Sequence, residues 1–267
     1  MPAPFHTFSA QEYPLMRNFK LTLEYDGTDF SGWQTQSEGL RTIQNHLEEN
    51  LEKIFKKKIH CQASGRTDSG VHAFGQVAHF KADTQMAPAL MHTALNSFLD
   101  KDLSIVSIQE VPLYFNAQMD VATKTYRYTI LNRSYPSALW RNRAYFYPQA
   151  LNIFAMRRAA NTLKGKHDFK AFQSAAQRSR IKNTVRTIKH LTISKEGDLI
   201  HISITSDGFL YKMVRNIVGA LLVIGSGRLP VSAMPLHLKS KQRALVFRTA
   251  PSQGLCLMSV QYRKGHK

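Results

Sequence analysis

Acidic side chains are scarce in this 267-residue chain: 18 Asp and Glu stand against 36 Lys and Arg, a formal net charge of +18. A balance tilted that far makes a polyanion the favoured class of partner. Cysteine is nearly absent. Cys61 and Cys256 alone exclude a disulfide scaffold and a cysteine-rich zinc site. Long apolar runs are missing too. The longest, Ile217 to Ile224, is interrupted by Gly219 and falls far short of the ~20 residues a membrane-spanning helix needs. Met1 to Met16 lacks a basic leader followed by an apolar block, so no secretory signal is expected and the chain is read as cytoplasmic. The eleven histidines show no metal-ligand spacing, and no metal is expected. What remains is ample core material: 43% hydrophobic and 20% charged residues describe a globular protein, not a disordered one.

The positive charge is concentrated. Residues 1–110 carry 10 basic and 13 acidic side chains, whereas residues 111–267 carry 26 and 5. Within the second part, Arg141 to His190 holds 12 basic residues and a single acid, Asp168. A field so localised points to nucleic acid, the commonest polyanion.

Hydrophobic periodicity predicts strands over Asn18–Tyr25, Ile59–Ala63, Gly75–Phe80, Leu103–Val111, Lys124–Leu131 and Gly254–Tyr262. A hairpin is expected from Val185–Ser194 and Leu199–Ser206. Helices are expected behind the N-cap Thr42, from Pro88 to Phe98, over Leu151–Leu163, and over Phe209–Ile224. In the last of these an apolar face of Leu210, Met213, Val214, Ile217, Val218, Leu221 and Leu222 leaves Tyr211, Lys212 and Arg215 away from its centre. Strands outnumber helices and lie close in sequence, so the fold class is α+β with a mostly antiparallel sheet. Residues 1–17 read as an N-terminal extension, a disordered one on the simplest view. Residues 18–115 read as a first α+β half and 116–267 as a basic second half, with Pro112 near the boundary.

The loop Ser64 to Ala73 stands out. Gly65 and Gly70 flank one cation, two hydroxyls and the carboxylate of Asp68, which Arg66 or another arginine could pair with. An Asx turn, with Asp68 bonding its own backbone, explains the same residues. Further blocks follow in order. They are Leu23–Gln34 (LEYDGTDFSGWQ), Thr125–Tyr128 (TYRY), Gly165–Phe172 (GKHDFKAF), Phe209–Gly219 (FLYKMVRNIVG), and Ala250-Pro251 with Gly254-Leu255. Together with Gly65-Arg66-Thr67-Asp68-Ser69-Gly70-Val71-His72-Ala73, these blocks resemble the TruA family of tRNA pseudouridine synthases over residues 18–263.

The resemblance implies two α+β halves sharing a central, mostly antiparallel sheet, flanked by helices and loops. It implies a cytoplasmic homodimer that converts uridine to pseudouridine at positions 38, 39 and 40 of the tRNA anticodon stem-loop, with no cofactor and no membrane partner. By position, Asp68 would be the nucleophile, Arg215 would pair with it, Tyr126 would stack on the target base, and Arg66 would help hold that base out of its stack. Ala176, Gln177, Arg178, Ser179 and Arg180 match an RNA-contacting segment, where arginines suit phosphates. A second such segment falls on Phe115, Asn116, Ala117, Gln118 and Met119. Here Asn116 and Gln118 replace the family's usual His and Arg. Leu245-Val246-Phe247 also departs from the smaller residues of relatives. Asp68-Ser69-Gly70 echoes the turn of aspartic proteases, but those need a second carboxylate and this chain has one such tripeptide. The remaining alternative is a non-catalytic RNA-binding module on the same fold.

Overall fold

The computed structural model describes residues 16–36, 39–175, 183–244 and 246–263. The RNA-contact segment expected at Ala176–Arg180, residues 1–15 of the expected extension, and Leu245 lie outside them. Met16 and Arg17 belong to the first strand, where Arg17 forms an ion pair with Glu110 at 2.6 Å.

Ten strands form one sheet among the described residues. They are β1 (Met16–Tyr25), β2 (Gln62–Ala63), β3 (His72–Asp83), β4 (Leu103–Val111), β5 (Val121–Leu131), β6 (Tyr145–Phe146), β7 (Gly165–Asp168), β8 (Val185–Glu196), β9 (Leu199–Ser206) and β10 (Leu255–Tyr262). The order across the sheet is β4-β1-β3-β10-β5-β9-β8-β7, with β2 on β3 and β6 on β5. Pairing is antiparallel except for β5 with β6 and for β3 with β10. The second of these joins the halves through only two partner pairs, Cys256 with His72 and Leu257 with Ala73.

The helices are α1 (Ile43–Phe55), α2 (Pro88–Phe98), α3 (Ile153–Asn161), α4 (Met213–Gly225) and α5 (Ala233–Ser240). Thr42 caps α1 as expected, its hydroxyl accepting from the Asn45 amide. The strand expected at Ile59–Ala63 contracts to β2, and that at Gly75–Phe80 lengthens to β3. The helix expected from Phe209 starts at Met213, because Lys212 takes a left-handed backbone (φ 58°) that breaks the helical path. Nor is α4 one-sided. Every residue except Arg215 is buried, so it is a core helix carrying a single cation. β6, β7 and α5 have no counterpart among the expected elements.

One row of register partners crosses the sheet on a single face: Tyr25, Ala73, Leu257, Tyr126, Ile204 and Leu191, all buried. Strand pairing places such partners side by side. The row belongs to one hydrophobic cluster that spans both halves, while Val77, Val111, Phe115 and Ala117 form a small second cluster.

Candidate active site

Asp68 sits in the loop between β2 and β3, near enough to Tyr126 of this row to act on its phenol. The loop is held from several sides. The Tyr25 hydroxyl and the Thr67 hydroxyl lie 2.8 Å apart, and the Trp33 amide donates to the Thr67 carbonyl at 3.1 Å. Gln76 Nε2 donates to the Gly65 carbonyl at 2.9 Å, while its Oε1 accepts from the Ser64 hydroxyl at 2.8 Å. Burial raises the Tyr25 phenol well above its ordinary range and keeps it neutral. The turn after β1 must lie against this loop. A Cβ on Gly27 would collide with the Val71 carbonyl, and Gly32, at φ +92°, backs onto the Thr67 carbonyl. The first sequence block therefore serves as the cradle of the Asp68 loop.

The charge partner of Asp68 comes from the other half of the chain. Arg215 Nη1 donates to Asp68 Oδ2 at 2.8 Å, and its Nε donates to the Ala250 carbonyl at 2.7 Å. The Ala250 amide returns a bond to the Arg215 carbonyl at 3.1 Å, so the guanidinium is fixed at two points. Asp68 Oδ1 has no hydrogen-bond partner among the described residues. The two side chains are 22% and 13% exposed, a pair mostly withdrawn from water but open at the carboxylate. Arg66 is exposed and does not form this pair.

Tyr126 is buried next to the pair. Its ring meets Phe209 edge to face, with centroids 5.1 Å apart at 90°. Burial, with smaller contributions from Tyr25 and Asp68, raises its phenol and keeps it protonated. Among the described residues its hydroxyl has no hydrogen-bond partner. Tyr128, on the same face of β5, donates to the Pro251 carbonyl at 2.8 Å and ties the strand to the loop that holds Arg215. Lys124, two residues before Tyr126, donates to the Ser64 carbonyl at 2.5 Å, and burial lowers its pKa to about 8.

The segment from Phe115 to Met119 divides in two. Phe115 and Ala117 are buried; Asn116 is half-buried, and Gln118 and Met119 are exposed. Asn116 Oδ1 accepts from the Gln118 and Met119 amides, and Gln62 bonds both Asn116 and Gln118. The two residues that depart from the family pattern thus shape a turn and pin it to β2.

Two supports were not visible in sequence. The Gly27 amide donates to His72 Nδ1 at 3.0 Å, leaving Nε2 to donate to the Asn142 carbonyl at 2.7 Å. This clasps the β1 turn, β3 and the 132–144 loop together. Asn216 Nδ2, beside Arg215, donates to the Phe172 carbonyl at 2.7 Å, and its Oδ1 accepts from the Thr249 hydroxyl at 2.7 Å. Both rest on partners more than 30 residues away, which no local pattern reports.

The sequence model of a family described as "tRNA pseudouridine synthase" matches residues 22–120 and 159–263. Over 247 residues, 92% of this chain and the whole of each relative, the chain is 43% identical to "tRNA pseudouridine synthase A" of Geotalea daltonii and 42% identical to that of Caldicellulosiruptor bescii. It is 44% identical, over the same lengths, to "tRNA pseudouridine synthase A 2" of Clostridium perfringens.

Proposed function

The chain belongs to the tRNA pseudouridine synthase family and is an isomerase of tRNA uridines; from that premise we propose that its targets are positions 38, 39 and 40 of the anticodon stem-loop and that Asp68 is its nucleophile. The observation that carries this reading is the Asp68–Arg215 pair. One carboxylate oxygen is held at 2.8 Å by a doubly anchored guanidinium, and the other is left free beside a buried tyrosine. Nucleophilic catalysis needs a carboxylate that is ionised, oriented and accessible. Arg215 orients the carboxylate, and the open side of Asp68 makes it accessible.

The reaction is redox-neutral. The N1–C1′ glycosidic bond of the uridine breaks, the base turns, and a C5–C1′ bond forms. C5 loses its proton and N1 ends protonated. No atom is gained from a co-substrate, so the balance calls for no cofactor. The target base must leave its stack, at a cost of a few kcal/mol. Tyr126 offers an aromatic face to receive it, worth about 1–3 kcal/mol per base, and exposed Arg66, two residues from Asp68, is assigned to fill the vacated space. Asn116, Gln118 and Met119 present side chains to the RNA over the scaffold of Phe115 and Ala117. Ala176, Gln177, Arg178, Ser179 and Arg180 are assigned to phosphates. The working unit is a cytoplasmic homodimer, each chain divided at residues 115 and 116.

Tritium release from a tRNA transcript labelled at uridine C5 tests the reading, with wild type and Asp68→Asn compared in EDTA without cofactor. Release by wild type alone, mapped to positions 38–40, is the expected result. Release by Asp68→Asn removes the nucleophile assignment. Binding without release by either protein favours the RNA-binding module.

A further inference from the structure

Lys124 has an unusual setting for a cation. Its ammonium is withdrawn from water against the loop that carries Asp68, yet it forms no ion pair among the described residues. Its hydrogen bond goes to a neutral group, the Ser64 carbonyl at 2.5 Å. The next residue, Gly65, leaves room for it: a Cβ there would stand in the place of the ammonium, while Gly65 itself has an ordinary backbone that other residues adopt. Lys124 shares a face of β5 with Tyr126, and burial lowers its pKa to about 8. An ammonium has three donors, and the carbonyl takes one. A partly desolvated cation without a counter-charge is costly in the free protein, and an arriving anion removes that cost.

We propose that Lys124 binds the RNA backbone phosphate adjacent to the extruded uridine, bridging that phosphate to the Ser64 carbonyl and so registering the target nucleotide against Asp68. The inference rests on the reading that the uridine enters between Asp68 and Tyr126. It assigns the anion as a phosphodiester of the substrate, because the site lies on the same sheet face as the proposed base platform and at the root of the proposed nucleophilic loop. Phosphate contacts position a nucleic acid without reading its sequence, so the effect is expected to be the same at all three target positions.

The test combines protein and substrate changes. Affinity for tRNA is measured by fluorescence anisotropy across a salt series for wild type, Lys124→Met and Lys124→Arg. Each is also tested on transcripts carrying one neutral methylphosphonate beside the target uridine. Lys124→Met is expected to weaken binding about tenfold. It is also expected to lower the slope of log affinity against log salt by about one contact, and Lys124→Arg to restore both. The methylphosphonate is expected to cost wild type a similar factor and Lys124→Met nothing further. Gly65→Ala, which displaces the ammonium without removing its charge, is expected to reproduce the loss of coupling. Additive penalties with an unchanged salt slope would overturn the inference and leave Lys124 as a clamp on the loop. Tritium release by wild type in the same samples separates the two readings. Without release from positions 38–40 the proposed function fails whatever Lys124 does; with release and additive penalties, this inference alone fails.

Discussion

At the scale of the residue, the site turns on how one guanidinium divides its donors. Arg215 gives Nη1 to Asp68 and Nε to the Ala250 carbonyl, so it fixes the carboxylate and the loop after α5 with the same side chain. Lysine keeps the charge but is a single point of donation and cannot meet both acceptors in a fixed fork. Arg215→Lys is therefore expected to lower the single-turnover rate about 10- to 100-fold, the worth of one charged hydrogen bond, with little change in thermal midpoint. Arg215→Ala leaves the Asp68 carboxylate without its cation and the Ala250 carbonyl without its donor, and is expected to cost about 3 kcal/mol in denaturant unfolding as well. A lysine variant with the wild-type rate would show that the fork is not what orients Asp68.

At the scale of the element, α4 depends on close approach. A Cβ on Gly219 would overlap the Arg248 carbonyl, a backbone atom that has no rotamer to yield with. Gly219→Ala should push the 248–251 strap off the helix and with it the Ala250 anchor of Arg215. Overpacking of this kind costs about 1–3 kcal/mol. The variant is expected to lose both stability in urea and turnover, whereas Asn152→Ala, at the N-cap of α3 beside the end of α4 remote from Arg215, should lose about 1 kcal/mol of stability and no turnover. Equal losses of turnover from the two would refute the link. This helix also shows where sequence reading succeeds and stops. Its apolar spacing places Arg215 off the hydrophobic centre, but the same spacing cannot tell an amphipathic helix from one buried on all sides, since burial is decided by the 248–251 strap and by α3. α5 escaped notice because Pro235 stands in its third position, where a first turn tolerates it. The blocks around Asp68, Tyr126 and Arg215 were legible as separate motifs. Their union was legible only through the family resemblance, which pairs Arg215 with Asp68; no local spacing reports it, because the contact closes a separation of 147 residues.

At the scale of the whole molecule, the halves share one hydrophobic cluster and one sheet, with β10 lying between β3 and β5. Such a body is expected to unfold as one unit. The two cysteines can report this. Cys61 lies beside β2 in the first half and Cys256 on β10 at the seam. Burial raises the Cys61 thiol and pushes the Cys256 thiol up to about 12. Both should label with maleimide far more slowly in the folded protein at pH 8, on the order of a thousandfold for Cys256. In a urea series both should become reactive at one midpoint; two separate midpoints would mean that the halves melt independently.

The position of β10 has a consequence for synthesis. It follows every other described strand along the chain, yet it occupies the centre of the sheet, supplying Leu257 beside Tyr126 in the buried row and following the strap that anchors Arg215. A ribosome delivers the first half early, and with it the Asp68 loop on its cradle. The cation for that carboxylate arrives on α4, and its anchor and the central strand arrive last. A nascent or truncated chain therefore displays the Asp68 loop without its guanidinium partner. On the proposed reading of Asp68, a chain that ends before β10 is expected to release no tritium from C5-labelled tRNA.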